Sequence, residues 1–329
     1  MIETVDYHTA GEPFRIVTGG APEIPGPTVA ARRETAMTGE ADGLRALLCN
    51  EPRGHADMYG CFPVPPDDDG ALLGVLFWHK DGFSTACGHG TIALGAYAVD
   101  AGLVTAPDDG AVDVVIDVPS GRVTATVQRA AGRTVSVAFR NVPAFVVARR
   151  VPVSTARGEI SVDISYGGAS YASALAGDLG LTVSPAQLTE LIAVGRQIRD
   201  HLNEIGAAPH PTDQRLSGIY GTIWYEDVAP LHQRNCTIFA DGEVDRSPCG
   251  SGTSARLALL HADGAIALGQ AWRHDSVIGT TFDARVVEET EVHGRAAVVT
   301  EVRGAAFRTG EHRFLIDPHD PLGPGFQLR

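Results

Sequence analysis

The spacing of apolar residues along the chain predicts several helices separated by many strands. Helical periodicity is clearest over Thr28–Leu48, His89–Leu103, Gln187–Asn203 and Gly250–Ala262. Alternating or continuous β-branched segments lie between these helices, most clearly at Val112–Val118, Thr134–Phe139 and Ala297–Val302. Helices distributed among so many strands indicate a mixed α+β protein in which sheets predominate.

One motif occurs twice at a separation of about half the chain. Residues 84–93 read STACGHGTIA and residues 246–255 read RSPCGSGTSA, so both contain the pattern C-G-x-G-T-x-A. A repeat at this spacing predicts two related halves, each presenting one cysteine, Cys87 or Cys249.

Each copy of the motif is predicted to be a strand, a glycine-containing turn and a helix, with the cysteine at the N-terminus of the helix. A helix N-terminus offers unpaired N–H groups and the positive end of the dipole, which lower the pKa of a thiol and bind anions such as carboxylates. The glycines at 88, 90, 250 and 252 allow a ligand to approach the backbone closely. Two such units facing each other would hold a small carboxylate between two thiols.

The other cysteines indicate neither disulfides nor a metal site. Cys49, Cys61 and Cys236 stand in apolar surroundings, where a small buried thiol is expected. Five cysteines with no CxxC pair do not form a disulfide framework or a zinc ribbon, and Cys87 with His89 has no partner pair at zinc-site spacing. We therefore expect no metal.

Composition excludes some classes of function and leaves others open. The net charge of −14 implies no basic face for nucleic acid, and no apolar run is long enough to span a membrane, so we expect a cytoplasmic protein. Both motifs also fit the loose pattern GxGxxG/A, which keeps a nucleotide-dependent oxidoreductase as a remote alternative. A non-catalytic amino-acid-binding protein is a third possibility.

Three further segments, together with the Cys87 motif and an extended form of the Cys249 motif, resemble the proline racemase superfamily. This superfamily contains proline racemase, 4-hydroxyproline 2-epimerase and trans-3-hydroxy-L-proline dehydratase. The resemblance runs nearly from end to end. The further segments are HTAGEP at 8–13, EPRGHADMYG at 51–60 and DISYGG at 163–168, and the Cys249 motif extends to DRSPCGSGT at 245–253.

The resemblance implies an enzyme that needs no cofactor and acts on a proline-type small molecule. A thiolate removes the α-proton from one face and a thiol delivers a proton to the other, with Cys87 and Cys249 exchanging these roles. The substrate contacts carried over from the family are Gly88, His89, Gly250, Ser251 and Phe239, with Asp245 on the ring nitrogen. Ser251 replaces a common threonine. His89 and Asp245 also suit turn capping, and Phe239 suits a core.

The same resemblance leaves two reactions open. Dehydratases of this family typically carry threonine where this chain has Cys249, so the cysteine pair favours an epimerase or racemase acting on hydroxyproline or proline. The segment from Glu51 to Tyr59 and the chain length also resemble the dehydratase branch. A trans-3-hydroxy-L-proline dehydratase therefore remains the alternative.

The fold implied by the resemblance is a pair of pseudo-symmetric domains like those of diaminopimelate epimerase. Each is a curved, mostly antiparallel sheet around a central helix, and the active site lies in the cleft between the domains. We expect the first domain at 1–140, with residues from about 312 to 329 returning to it, and the second at 150–305. A crossover is expected near Asn141–Pro152, and a homodimer is possible by the same resemblance.

Overall fold

The computed structural model describes residues 1–328, and their contacts group into two compact units. The first unit is Met1–Val137 together with the chain from Ala305 onward, and the second is Ala138–Gly304. Whether these units are the independent domains expected from the sequence stays a prediction, as does a site between such domains.

The first unit is a mostly antiparallel sheet with a buried helix packed against it. Its elements are β1 (Ile2–Thr9), β2 (Glu12–Gly19), α1 (Val29–Ala36), α2 (Glu40–Cys49), β3 (Gly60–Val64), β4 (Leu73–His79), β5 (Gly82–Phe83), α3 (Gly88–Asp100), β6 (Gly110–Val118), β7 (Gly121–Ala130) and β8 (Arg133–Arg140), which runs past the division. Residues 88–96 of α3 are all buried, because strands on several sides cover the helix. A helix that is apolar all round needs such cover.

The second unit repeats this plan in a sheet that closes on itself. Its elements are β9 (Ala144–Thr155), β10 (Gly158–Tyr166), β11 (Ser170–Leu175), α4 (Leu188–Glu204), β12 (Ile219–Ala229), β13 (His232–Phe239), β14 (Glu243–Asp245), α5 (Gly250–Ala262), β15 (Trp272–Ser276), β16 (Thr281–Val292) and β17 (Arg295–Gly304). Closure comes from β17, which pairs with β9 so that Ala297 lies opposite Phe145. The buried helix α5 packs against β9, β10 and β17, among other strands.

Helix α4 completes the core of the second unit, and the last strand completes that of the first. Helix α4 places Leu191, Val194 and Ile198 against the second sheet, and Trp224 Nε1 donates to the Leu191 carbonyl at 2.9 Å. The last strand, β18 (Ala306–Phe314), pairs with β1 in the first unit, and Phe314 lies opposite Ile2.

The single helix predicted over 28–48 is wrong, because the structure has two helices there. Helix α1 begins after Thr28, whose hydroxyl accepts the N–H of Ala31 at 3.2 Å, and it ends at Ala36. Gly39 then adopts an extended backbone with φ of −106° and caps the start of α2. Glycine has little helical preference, so the helix can break at Gly39, although Gly43 is accommodated inside α2.

The chain passes from the first unit to the second between Val137 and Ala138, just before the segment Asn141–Pro152 where a crossover is predicted, and most of that segment is strand β9. Proline lacks an N–H for a ladder, so its place within a strand needs an explanation. In the structure Pro152 is exposed opposite Ser161, while the neighbouring Val153 is buried opposite Ile160. Burial of alternate side chains therefore outweighs the missing donor.

The predicted fold class is confirmed. The chain has a mixed α+β fold dominated by sheet, and α3, α4 and α5 begin within one residue of their predicted starts. Cys49, Cys61 and Cys236 are buried as expected. No helix within residues 1–328 is long and apolar enough to cross a membrane.

Candidate active site

Both cysteines of the repeated motif lie at helix N-termini, as the strand–turn–helix pattern predicts. Cys87 caps α3, which follows β5, and Cys249 caps α5, which follows β14. Each side chain is about 5% exposed. In each unit a thiol is therefore held at the positive end of a buried helix, where anions are stabilised.

In the first unit, the thiol of Cys87 is in contact with the imidazole of His89. The two ring nitrogens lie 3.5 and 3.6 Å from Sγ, and the N–H of Gly90 donates to Sγ at 3.2 Å. Burial lowers the pKa of His89 to about 3, partly offset by a hydrogen bond to the Pro13 backbone. The ring is therefore neutral at physiological pH. We call Cys87, Gly88, His89 and Gly90 the Cys87 centre.

Aromatic rings hold His89 in place. Its ring stands edge-on to Tyr59, with centroids 4.9 Å apart, and to Phe14, with centroids 5.7 Å apart. The Thr9 hydroxyl donates to the His89 carbonyl at 2.9 Å. These contacts orient a neutral imidazole so that one face of the Cys87 thiol has a hydrogen-bonding partner.

In the second unit, Cys249 adopts a strained backbone that its neighbours maintain. Its φ of 62° lies in the left-handed region, which costs a non-glycine residue about 1–2 kcal/mol. Ser247 Oγ accepts the Cys249 N–H at 3.1 Å, and Asp245 Oδ1 accepts the Ser247 N–H and hydroxyl at 2.8 and 2.6 Å. Asp245 thus holds the turn that presents the thiol. We call Cys249, Gly250, Ser251 and Gly252 the Cys249 centre.

The surroundings of Cys249 keep its thiol protonated. Burial raises the pKa of Cys249 well above its ordinary value, and the charge of Asp245 adds to this effect. The N–H of Gly252, the hydroxyl of Thr237 and the hydroxyl of Tyr171 act in the opposite direction. Burial also raises the pKa of Asp245 to about 6, against hydrogen bonds from Ser247. At neutral pH the thiol of the Cys249 centre therefore lies next to the Asp245 carboxylate.

The second glycine of each motif is required by the thiol. A Cβ on Gly90 would lie 2.7 Å from Cys87 Sγ, and one on Gly252 would lie 2.9 Å from Cys249 Sγ. Real Cβ atoms do not approach sulfur this closely, so the C-G-x-G spacing reflects a sulfur folded over the first helical turn. The repeated sequence thus produces the same local geometry in both units.

The other predicted site residues fall into two groups. Gly88 and His89 lie beside Cys87, whereas Gly250, Ser251 and Asp245 lie beside Cys249. Phe239 ends β13 and stacks on Tyr220 with centroids 5.6 Å apart. Asp245 accepts two hydrogen bonds from Ser247 in the turn before Cys249, which agrees with the turn-capping alternative. A contact between Asp245 and a substrate stays a prediction.

Sequence reasoning missed four residues that shape these centres: Phe14, Tyr59, Tyr171 and Ser247. Phe14 and Tyr59 pack on His89, Ser247 positions Cys249, and Tyr171 contacts both Cys249 and Ser251. The sequence did point to these four residues, because each of them lies within or close to a segment that carries the family resemblance.

Comparisons with known proteins agree on one family. A sequence model described as Proline racemase matches residues 4–327. A trans-3-hydroxy-L-proline dehydratase of Bacillus cereus is 43% identical over 327 residues, covering 99% of this chain and 97% of the relative. A 3-hydroxyproline 2-epimerase of Burkholderia multivorans is 42% identical over 335 residues, covering 100% and 98%.

A crystal structure gives the same result at the level of the fold. The hydroxyproline epimerase of Agrobacterium vitis, with bound trans-4-hydroxy-L-proline, superimposes with a TM-score of 0.94 at 32% identity. The match covers 99% of this chain and 95% of that one.

Proposed function

This chain belongs to the proline racemase family, and we propose that it inverts Cα of a hydroxyproline or of proline by two-thiol acid–base catalysis. The observation that carries the proposal is that a cysteine caps the buried helix in each unit, with its sulfur folded over a glycine. An inversion needs a base on one face of Cα and an acid on the other. Two matched thiols supply both.

The contacts of the two centres suggest which cysteine begins as the acid and which as the base in one direction of the inversion. The raised pKa of Cys249 makes it the proton donor, and Cys87, with the Gly90 N–H and the His89 ring beside it, serves as the thiolate base. The Cys87 sulfur takes the α-proton, and the Cys249 S–H delivers its proton to the opposite face. Cys249 is then the thiolate that begins the reverse direction.

The proposed binding contacts match the charges of an amino acid. The backbone N–H groups of Gly88 and Gly250, in the first turns of α3 and α5, suit a carboxylate. The Asp245 carboxylate suits the ring ammonium, because a charge-assisted hydrogen bond is the stronger kind. The proposed scheme uses these residues and requires no cofactor.

A second candidate is trans-3-hydroxy-L-proline dehydratase, which the 43% identical Bacillus cereus relative favours. In that reaction a base removes the α-proton and the 3-hydroxyl leaves as water after taking a proton. A protonated Cys249 would be a suitable donor for the leaving group. The two candidates therefore share their first step and differ in where the second proton goes.

Proton NMR in D2O separates them. Purified protein is incubated with L-proline, trans-4-hydroxy-L-proline or trans-3-hydroxy-L-proline in separate tubes, with EDTA and no added nucleotide. For the hydroxyprolines, loss of the α-proton signal with growth of the ring signals of the 2-epimer supports the proposal. For L-proline, whose enantiomer has the same spectrum, exchange of the α-proton without a pyrroline product supports it. A pyrroline product from the 3-hydroxy compound alone would support dehydration instead.

Cysteine variants test the assigned roles. Cys87→Ser and Cys249→Ser should each lower turnover by about 10²–10⁴-fold, the usual contribution of a positioned acid or base. Cys61→Ala is the matched control, because this buried cysteine lies in strand β3 and caps no helix. Full turnover by Cys249→Ser would contradict the two-thiol scheme.

A further inference from the structure

Tyr171 is a buried side chain that the two-thiol scheme leaves without a role. It lies in β11 and is only 1% exposed. Its hydroxyl is 2.7 Å from Ser251 Oγ and 3.9 Å from Cys249 Sγ, so it contacts two members of the Cys249 centre.

Packing holds this hydroxyl in place. The ring of Tyr171 belongs to a small cluster of buried residues with Ile223 and Cys249, and it stands edge-on to Tyr220 with centroids 5.9 Å apart. Burial raises the pKa of Tyr171 well above its ordinary value. The phenol therefore keeps its proton throughout the working pH range and acts as a hydrogen-bond donor or acceptor.

A phenol between a thiol and a serine can serve both protonation states of the sulfur. When Cys249 is a thiol, its S–H has two acceptors, the Tyr171 oxygen and the Asp245 carboxylate, and Tyr171 can donate to Ser251. When Cys249 is a thiolate, Tyr171 donates a hydrogen bond to the sulfur and accepts one from the Ser251 hydroxyl. The hydroxyl only rotates, so no proton is gained or lost by Tyr171.

We propose that Tyr171 is a positioning residue that orients the Cys249 sulfur and stabilises its thiolate form. This inference rests on the proposed function, in which Cys249 must be the base in one direction. The Cys87 centre has a different arrangement: position 89, the counterpart of Ser251 in the repeat, places an imidazole directly on the sulfur. The two thiols are thus supported by different groups.

Several groups act on Cys249 besides Tyr171. Asp245 from β14 opposes the thiolate by its charge, whereas the Gly252 N–H and the Thr237 hydroxyl from β13 favour it. Tyr220 from β12 packs edge-on against the ring of Tyr171. With a buried carboxylate opposing ionisation, the phenol is one of few donors to the sulfur, and its loss should have a measurable effect.

The test is the rate at which iodoacetamide alkylates Cys249, because only the thiolate reacts. The rate is measured on the full chain from pH 6 to 10 by mass spectrometry of the Cys249 peptide. Tyr171→Phe should lower the rate about 3- to 10-fold at each pH. Tyr166→Phe, which changes another buried tyrosine of the same unit, should leave it unchanged.

The sign of the effect separates positioning from packing. If Tyr171 only filled space, its loss would leave the rate unchanged, or would loosen the cluster and raise it; either result would overturn the proposal. The assay uses no substrate, so it is independent of the reaction. If no substrate turns over but the rate falls as expected, the role of Tyr171 stands and the proposed function fails. If turnover occurs, its high-pH dependence should shift upward in Tyr171→Phe.

Discussion

A methyl group added at Gly90 should destabilise the protein, although alanine favours a helix more than glycine does. The new Cβ would lie 2.4 Å from Phe14 Cε2 and 2.7 Å from Cys87 Sγ. Phe14 is completely buried and packs against Phe77 and Tyr59, with centroids 6.1 and 6.4 Å away. The ring therefore has no space into which it can retreat.

The magnitude follows from two opposing contributions. Overpacking a well-filled core costs about 1–3 kcal/mol, and replacing glycine by alanine in a helix recovers at most about 1 kcal/mol. We expect Gly90→Ala to lose about 1–2 kcal/mol of unfolding free energy. For a domain of this size each kilocalorie lowers Tm by about 2–4 °C. Turnover should also fall, because the Cys87 sulfur must move.

Gly43→Ala is the matched control. Gly43 lies in α2, and a Cβ built there meets no atom within 4 Å. This variant should gain about 0.5–1 kcal/mol. Urea unfolding followed by tryptophan fluorescence, to which the buried Trp78 of the same unit contributes, measures both changes. If Gly90→Ala were as stable as Gly43→Ala, the close contact of thiol, glycine and Phe14 would be refuted.

Two further predictions concern ionisation. Burial raises the pKa of Asp245 to about 6, so the native state holds this proton longer than the unfolded state, and between about pH 4 and 6 stability should fall as pH rises. Asp245→Asn should remove about 2–3 kcal/mol of this dependence, measured by urea unfolding at several pH values; parallel curves for both proteins would contradict it. Burial lowers the pKa of His89 to about 3, so its ring NMR signals, assigned with His89→Gln, should remain those of neutral imidazole down to about pH 4. A midpoint near 6.5 would show instead that the ring is solvated.

The helices and strands were predictable wherever a periodic pattern coincided with burial. Helices α3, α4 and α5 follow their apolar periodicity closely. The prediction failed at Gly39, where one residue had to be weighed against its neighbours. Gly39 interrupted a helix that the periodicity continued. Local preference and burial compete at such positions, and the sequence alone does not show which prevails.

The sequence by itself determined the family, the fold class and the place of each thiol at a helix N-terminus. These properties depend on residues adjacent in the chain, because a C-G-x-G motif between a strand and a helix forms its own local geometry. Only the tertiary structure decided what surrounds each thiol. His89 is neutral because Phe14 and Tyr59 bury it, and Cys249 stays protonated because it is desolvated beside Asp245. Tyr171 reaches Cys249 from strand β11, 78 residues earlier in the chain, and no local sequence pattern predicts that contact.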